Sequence, residues 1–119
     1  MSQKIVIKTA RMIPHATKGY VALQTKGFVH HVSPGHGWFE VDKSQLETLG
    51  IEKEITQGSY MNGDKAYLEE DCDLVTFIKA MQAAIPEWEF EGSYSTEYCD
   101  AELWTHECDG PEPYAFYQA

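Results

Sequence analysis

The residues of this chain best suited to catalysis or metal binding are five histidines and three cysteines, because imidazole and thiolate groups act as bases, nucleophiles and zinc ligands. They are His15, His30, His31, His36 and His106, with Cys72, Cys99 and Cys108. His106 and Cys108 lie two residues apart, but no Cys-x-x-Cys or His-x-x-x-His pair accompanies them. The spacing therefore favours neither a zinc site nor cysteine catalysis, and we expect no enzyme activity, no metal and no cofactor. A small metal-dependent enzyme or metal-binding protein that uses His106, Cys108 and nearby carboxylates is the alternative.

Carboxylates are the second group with binding potential, and five consecutive positions, Glu69-Glu70-Asp71-Cys72-Asp73, contain four of them. Such a run could hold a hard cation, yet it lacks the alternating ligands and central glycine of an EF-hand loop. It precedes an apolar stripe with helical spacing, so we interpret it as acidic capping at the positive end of a helix dipole. Glycine-rich phosphate-binding motifs are also missing from the sequence.

A third candidate site is an acidic face near the C-terminal end. In Glu87-Trp88-Glu89-Phe90-Glu91 acidic and aromatic residues alternate strictly, so a strand here would place three glutamates on one side. No Lys or Arg follows Lys79, which suggests that these carboxylates lack a local cation. We therefore predict a partner-binding surface formed by Glu87, Glu89, Glu91, Glu97 and Glu102.

The distribution of charge along the chain supports this hypothesis. Residues 1–39 contain no carboxylate, whereas all nineteen acidic residues lie between Glu40 and Glu112, and the net charge is −10. Nine acidic and no basic residues after Lys79 give that stretch a formal charge of −9. Such a surface suits a protein partner with a basic surface and disfavours direct contact with nucleic acid, whose phosphates it would repel. The alternative is that the acidic residues only neutralise the chain's own basic half, by pairing with Lys4, Lys8 or Lys26.

Length and composition set the scale of the molecule. A chain of 119 residues with 43% hydrophobic residues can form one hydrophobic core, so we expect a single domain over residues 1–119. No apolar run approaches the ~20 residues of a membrane span, and the first residues lack the apolar core of a signal peptide. The odd number of irregularly spaced cysteines favours reduced thiols. We therefore expect a cytoplasmic protein that does not associate with a membrane.

The elements that must position these residues begin with strands. Alternation predicts a first strand at Lys4–Lys8, and Pro14 and Gly19 indicate a loop after it. Two β-rich runs, 20–24 and 28–32, are separated by Thr25-Lys26-Gly27 and predict a hairpin. Trp38 to Val41 is expected to be extended as well.

Helix and turn signals fill the middle of the chain. Asp42 and Gln45 form a capping box, and Gly50 with Ile51 predicts a Schellman end for a short helix. Asn62-Gly63 predicts a second hairpin. An apolar stripe predicts a second helix that ends at Pro86, and its residues are Leu74, Phe77, Ile78, Met81 and Ile85. The aromatic tail, Tyr114, Phe116 and Tyr117, is expected to dock on the body. The fold class is therefore α+β, an antiparallel sheet built from hairpins with two short helices packed on one face.

The span from Gly37 to Ala80 resembles small phage- and prophage-encoded proteins of unknown function. The resemblance rests on Gly-Trp-Phe-Glu-Val, Leu-Gly-Ile, Gly-Ser-Tyr and Tyr-Leu-Glu-Glu-Asp-Cys-Asp, and it brings no catalytic residues with it. It implies an accessory or inhibitory role in a bacterial host. The sequence thus predicts a small acidic binding or inhibitory protein that engages a basic surface of a host protein.

Overall fold

The structure is a computed structural model that describes residues 9–98 and 115–117. Its strands, in chain order, are β1 (Thr9–His15), β2 (Gly19–Lys26), β3 (Phe28–Ser33), β4 (His36–Asp42), β5 (Tyr60–Asn62), β6 (Lys65–Glu69), β7 (Tyr94–Tyr98) and β8 (Ala115–Phe116). Its α-helices are α1 (Lys43–Leu49) and α2 (Asp73–Ala84), and a 3₁₀ helix, Glu52–Glu54, follows α1. None of the helices in this described part has the length and apolar character that a membrane span requires.

The strands form two sheets. Strands β1 and β2 make a two-stranded antiparallel sheet, and the others form a six-stranded sheet in the order β7-β3-β4-β6-β5-β8. Within the six-stranded sheet every neighbouring pair is antiparallel except β3 and β7. Both helices belong to the long connection between β3 and β7 that also includes β4, β5 and β6. These antiparallel-dominated sheets with two helices confirm the predicted α+β class.

The sequence signal at Asn62-Gly63 correctly predicts a tight hairpin. Asn62 pairs with Lys65, so Gly63 and Asp64 are the two turn residues that join β5 to β6. Gly63 has a φ of 62°, a left-handed conformation that side chains with a Cβ adopt only with strain.

Replacement of Gly63 by valine is therefore expected to lower the free energy of unfolding by about 1 kcal/mol or more, because a β-branched residue is strained at this φ. Open space surrounds the position where a Cβ would be added, so the loss measures backbone strain and not a clash. Urea denaturation of the two proteins tests this. An unchanged urea midpoint would contradict this assignment of the turn.

The predicted hairpin between residues 20–24 and 28–32 is wrong. Strand β2 pairs with β1, while β3 pairs with β4 and β7. Gly27, with a φ of 80°, turns the chain from one sheet to the other. Pro14, expected to lie in a loop, pairs with Tyr20 inside β1, which is tolerated because proline can occupy an edge strand. The strand predicted at Lys4–Lys8 lies outside the described residues.

The end of α1 follows its sequence signals, but its beginning does not. Gly50 has a φ of 74°, and the Ile51 N–H donates to the Leu46 carbonyl at 3.0 Å, as the Schellman prediction requires. The predicted capping box is wrong, since the Asp42 side chain makes no cap hydrogen bond within the described structure. The Asp42 carboxylate instead accepts a hydrogen bond from the Lys65 ammonium, which raises the pKa of Lys65.

Gln45, the other half of the predicted capping box, bonds instead to β2. Its side-chain oxygen accepts the Gln24 N–H at 3.0 Å, and its amide nitrogen donates to the Gln24 carbonyl at 2.8 Å. Gln45 is buried, so both polar ends of its amide are satisfied by one backbone residue.

Helix α2 has the apolar face that its spacing predicts. Leu74, Phe77 and Met81 are buried in the core, as is Ile85 just after the last turn, while Ile78 is half-buried. The fully buried ring of Phe77 lies 5.6 Å from that of Phe28 and 5.8 Å from that of Phe39, measured between centroids. The core therefore lies between this helix and one face of β3 and β4.

The last member of the acidic run, Asp73, lies in the first turn of α2, where the sequence predicts acidic residues, and it is buried. Cys72, the residue at the N-cap, is an exposed free thiol that makes no side-chain cap bond with the described residues. Asp73 is fully buried, and its Oδ2 accepts bonds from the Thr56 N–H at 3.0 Å, the Thr56 hydroxyl at 2.8 Å and the Ser59 hydroxyl. Asp73 therefore connects α2 to the loop that precedes β5.

The aromatic tail reaches the body of the protein at this same loop. Tyr117 is buried, and its N–H donates to the Ser59 carbonyl at 2.8 Å. Its docking is as predicted, whereas Tyr114 lies outside the described residues. Burial, together with the negative charges of Glu52 and Glu47, raises the pKa of Tyr117.

Candidate functional site

The segment that carries the predicted acidic face follows α2 directly. Residues 87–91, all described, form no strand, so that prediction is wrong. The alternation of their side chains is nevertheless real: Glu87, Glu89 and Glu91 are exposed, Trp88 is buried and Phe90 is half-buried.

Aromatic contacts explain how this alternation arises without a strand. The Trp88 indole N–H donates to the Thr25 carbonyl at 2.9 Å, and the Trp88 ring meets Phe77 edge-on at 6.2 Å. The Phe90 ring stacks on Tyr94 at 4.8 Å. Trp88 and Phe90 therefore face inward, and the glutamate between them and the two glutamates that flank them face solvent.

The three glutamates line a cleft of about 530 Å³ between this segment and the base of the β1–β2 hairpin. The hairpin wall is formed by Thr9, Ala10, Arg11, Thr25 and Lys26. Ile85 and Trp88 supply the apolar part of the lining, and Gly92 completes it. The cleft thus combines a small apolar area with charges of both signs, an arrangement suited to binding a charged chain segment.

One of the glutamates has a cationic partner, contrary to the sequence expectation that all of them lack one. The Arg11 guanidinium donates to Glu87 across 2.8 Å, and this hydrogen bond holds the pKa of Glu87 below its usual range. This ion pair stabilises the fold at neutral pH. Its contribution is lost as the pH falls below 4.5 and passes the lowered pKa of Glu87. Both side chains are half-exposed or more, so the pair contributes little to stability.

Glu89 and Glu91 differ from Glu87 in this respect. Both are exposed, and the described residues give neither an ion-pair partner. Lys26 is the other cation in the lining. These two carboxylates are therefore the part of the cleft most accessible to an external cation.

Glu97, another residue of the predicted face, does not line the cleft. It lies on β7, an edge strand of the six-stranded sheet, in register with His31. Glu102 lies outside the described residues. The candidate site is therefore the cleft with Glu87, Glu89 and Glu91.

The two histidines of β3 do not line the cleft and form separate pairs. His30 and His31 face opposite sides of β3, as predicted for a strand: His30 Nε2 is 3.1 Å from Glu70, and His31 Nε2 is 2.8 Å from Glu40. Gly37 permits the first pair, because a Cβ there would clash with both His30 and Glu70.

The remaining histidines have structural contacts or no described position. His15 Nδ1 accepts backbone N–H bonds of the β1–β2 turn, and His36 stacks on Trp38 at 5.3 Å. His106 and Cys108 lie outside the described residues. Among the residues that are described, no three histidine, cysteine or acidic side chains come together in a group that could hold a metal ion.

Arg11, Trp88 and Thr25 are the cleft residues that sequence reasoning did not identify as a unit. Arg11 and Glu87 are 76 positions apart, and the bond from Trp88 to Thr25 spans 63. Only the basic character of the N-terminal third pointed to a cation near the acidic face.

Comparison with protein-family models, with curated proteins and with solved structures finds no match to this chain. The geometry and the charge of the cleft are therefore the observations that bear on function.

Proposed function

We propose that this chain is a small acidic binding protein, an accessory or inhibitory protein of phage origin that acts in the bacterial cytoplasm and holds a basic surface of a host protein at the cleft. The observation that carries the proposal is the exposure of Glu87, Glu89 and Glu91 at alternate positions along one wall of the cleft. Alternate exposed carboxylates match alternate cations on an extended segment of a partner.

The charge of the whole chain supports a basic partner. A net charge of −10, with −9 after Lys79, attracts positively charged surfaces and accelerates their encounter with the cleft. Glu97 and Glu102 contribute to this attraction through their charge, although Glu97 does not line the cleft. The same field repels the phosphates of nucleic acid.

Internal neutralisation is the competing interpretation, and the pair between Arg11 and Glu87 favours it. An exposed ion pair contributes little to folding, however, and it accounts for one of the three glutamates. Of the cations predicted as internal partners, Lys26 lines the cleft, and Lys4 and Lys8 lie outside the described residues. A test must therefore separate binding from stability.

The triple variant Glu87→Gln, Glu89→Gln, Glu91→Gln keeps side-chain size and removes three charges from the cleft. We expect an intact fold with partner affinity reduced about tenfold at low salt, and with a weaker dependence of affinity on salt. The measurement is a salt series of dissociation constants for a basic protein captured from bacterial lysate and then purified. The matched control is Glu47→Gln, Glu54→Gln, Asp71→Asn, which removes three exposed charges elsewhere.

Equal binding by the triple variant and the parent across the salt series would rule out the acidic cleft as the binding surface. A lower unfolding midpoint with unchanged binding would show that the glutamates serve the chain's own basic half. If the control variant loses affinity equally, the effect comes from net charge alone and not from the cleft.

A further inference from the structure

Arg11 reaches from one wall of the candidate cleft to the other. It belongs to β1, on the hairpin wall, and its guanidinium lies 2.8 Å from the carboxylate of Glu87 on the opposite wall. Half of the Arg11 side chain and 65% of the Glu87 side chain are exposed, so solutes can reach both groups. A second cation can therefore compete with Arg11 for Glu87.

Two hydrogen bonds show how the walls of the cleft are aligned. The Trp88 indole N–H donates to the Thr25 carbonyl at 2.9 Å, and the Phe28 N–H donates to the Ser93 carbonyl at 3.1 Å. The segment after α2 therefore runs alongside the end of β2 in the same direction. Its glutamates follow one another along the cleft, with Glu87 at one end of the row.

The three glutamates of this row differ in what they already bind. Glu87 accepts a hydrogen bond from the Arg11 guanidinium, which stabilises the ionised carboxylate and lowers its pKa. Glu89 and Glu91 are exposed, and no cation among the described residues pairs with either of them. Lys26, the other cation in the lining, is therefore not a competitor of the same kind as Arg11.

We propose that Arg11 determines which basic segments the cleft accepts. Because Arg11 holds Glu87, an extended segment of a host protein binds through two cations at alternate positions, which reach Glu89 and Glu91. A third cation in the same row meets the positive guanidinium and gains a carboxylate only if it displaces Arg11. This specificity rests on the proposed function, since it acts at the same cleft.

Other contacts fix the hairpin to the body, so the Arg11 pair adds little to folding. Leu23 is fully buried in the core, and the Gln45 side chain bonds both the N–H and the carbonyl of Gln24. An exposed ion pair contributes little beside such contacts. Replacement of Arg11 is therefore expected to change binding and to leave the unfolding midpoint close to that of the parent.

The test compares two synthetic peptides on the parent chain and on Arg11→Gln. The peptide Thr-Lys-Thr-Lys-Thr-Thr-Thr carries two cations and Thr-Lys-Thr-Lys-Thr-Lys-Thr carries three, and alternate lysines share one side of an extended chain. Fluorescence anisotropy gives the two dissociation constants, and their ratio is the preference for the three-cation peptide. This preference is expected to rise about fivefold in Arg11→Gln, the effect of one added exposed charge pair.

Control variants separate the release of Glu87 from a simple change of charge. Lys26→Gln removes a cation of the lining, and Lys18→Gln removes one in the turn of the same hairpin, outside the lining. Each is expected to change the preference by less than about twofold, because Glu87 stays paired. Arg11→Lys keeps the cation and is expected to bind both peptides like the parent. When Glu87→Gln is already present, the addition of Arg11→Gln is expected to have little effect on the preference.

An unchanged preference in Arg11→Gln would overturn this inference, while binding of both peptides to the parent would still support the proposed function. An equal rise in Lys26→Gln would also overturn it, because the effect would then come from charge in the cleft generally. If neither peptide binds the parent or Arg11→Gln, the proposed function fails, and the specificity that rests on it fails too.

Discussion

Replacement of Asp73 by alanine is expected to lower the free energy of unfolding by about 1–3 kcal/mol or more, because buried polar groups that lose their partner are costly. Three donors depend on its Oδ2: the Thr56 N–H, the Thr56 hydroxyl and the Ser59 hydroxyl. Ser59 is fully buried, so water cannot replace the carboxylate there without rearrangement of the loop. Urea denaturation followed by circular dichroism measures the loss.

Asp71→Ala is the matched control, since Asp71 is an exposed carboxylate two positions earlier in the chain. It is expected to change stability by less than about 0.5 kcal/mol, as surface substitutions do. Asp73→Asn keeps the shape and one acceptor oxygen, so it should lose less than Asp73→Ala. A loss below about 1 kcal/mol for Asp73→Ala would contradict a stabilising role for this network.

Phe77→Ala is expected to destabilise the protein by about 3–5 kcal/mol, the range for truncation of a buried phenylalanine. The Phe77 ring is fully buried and contacts the rings of Phe28, Phe39 and Trp88, so its removal leaves a cavity at the centre of the core. The measurement is again urea denaturation. Because the Trp88 ring contacts Phe77, its share of the tryptophan fluorescence should report loosened packing in the native state of this variant.

The control for Phe77→Ala is Val75→Ala on the same helix, where the side chain is 42% exposed. Its expected loss is below about 1 kcal/mol, because little apolar surface is removed from the core. Near-neutral behaviour of Phe77→Ala would place this face of α2 at an interface and not in the core.

Features set by neighbouring residues were predictable from the sequence. Gly50 ends α1 and Gly63 shapes a turn because a single residue decides whether a left-handed conformation is accessible. The stripe that includes Phe77 and Met81 follows from the period of the helix alone. Each of these predictions needed only a short window of sequence.

Strand pairing was less predictable, because it depends on residues that are distant in the chain. A short connection containing Gly27 suggested that β2 and β3 pair with each other. Instead β2 pairs with β1, and β3 pairs with β4. Likewise Gln45 matched a local capping pattern but bonds to Gln24, 21 positions away. Local patterns report which conformations are possible, and tertiary contacts select among them.

The candidate site shows the same division. The alternation from Glu87 to Glu91 correctly indicated which side chains face solvent, although the strand that it predicted is not formed. The position of Arg11 beside Glu87 could not be inferred, since it requires the fold of the hairpin onto the end of α2. The cleft itself exists only because these distant segments meet.

The paired hydrogen bonds between Gln45 and Gln24 have a consequence for how the first hairpin is aligned. An amide side chain that bonds both the N–H and the carbonyl of one residue acts as a single added rung on the open side of β2. A slip of β2 along the body by two residues would move Gln24 away from this rung and would pull Leu23 from the core. Helix α1 thereby fixes the register of β2, and with it the position of the two-stranded sheet relative to the six-stranded one.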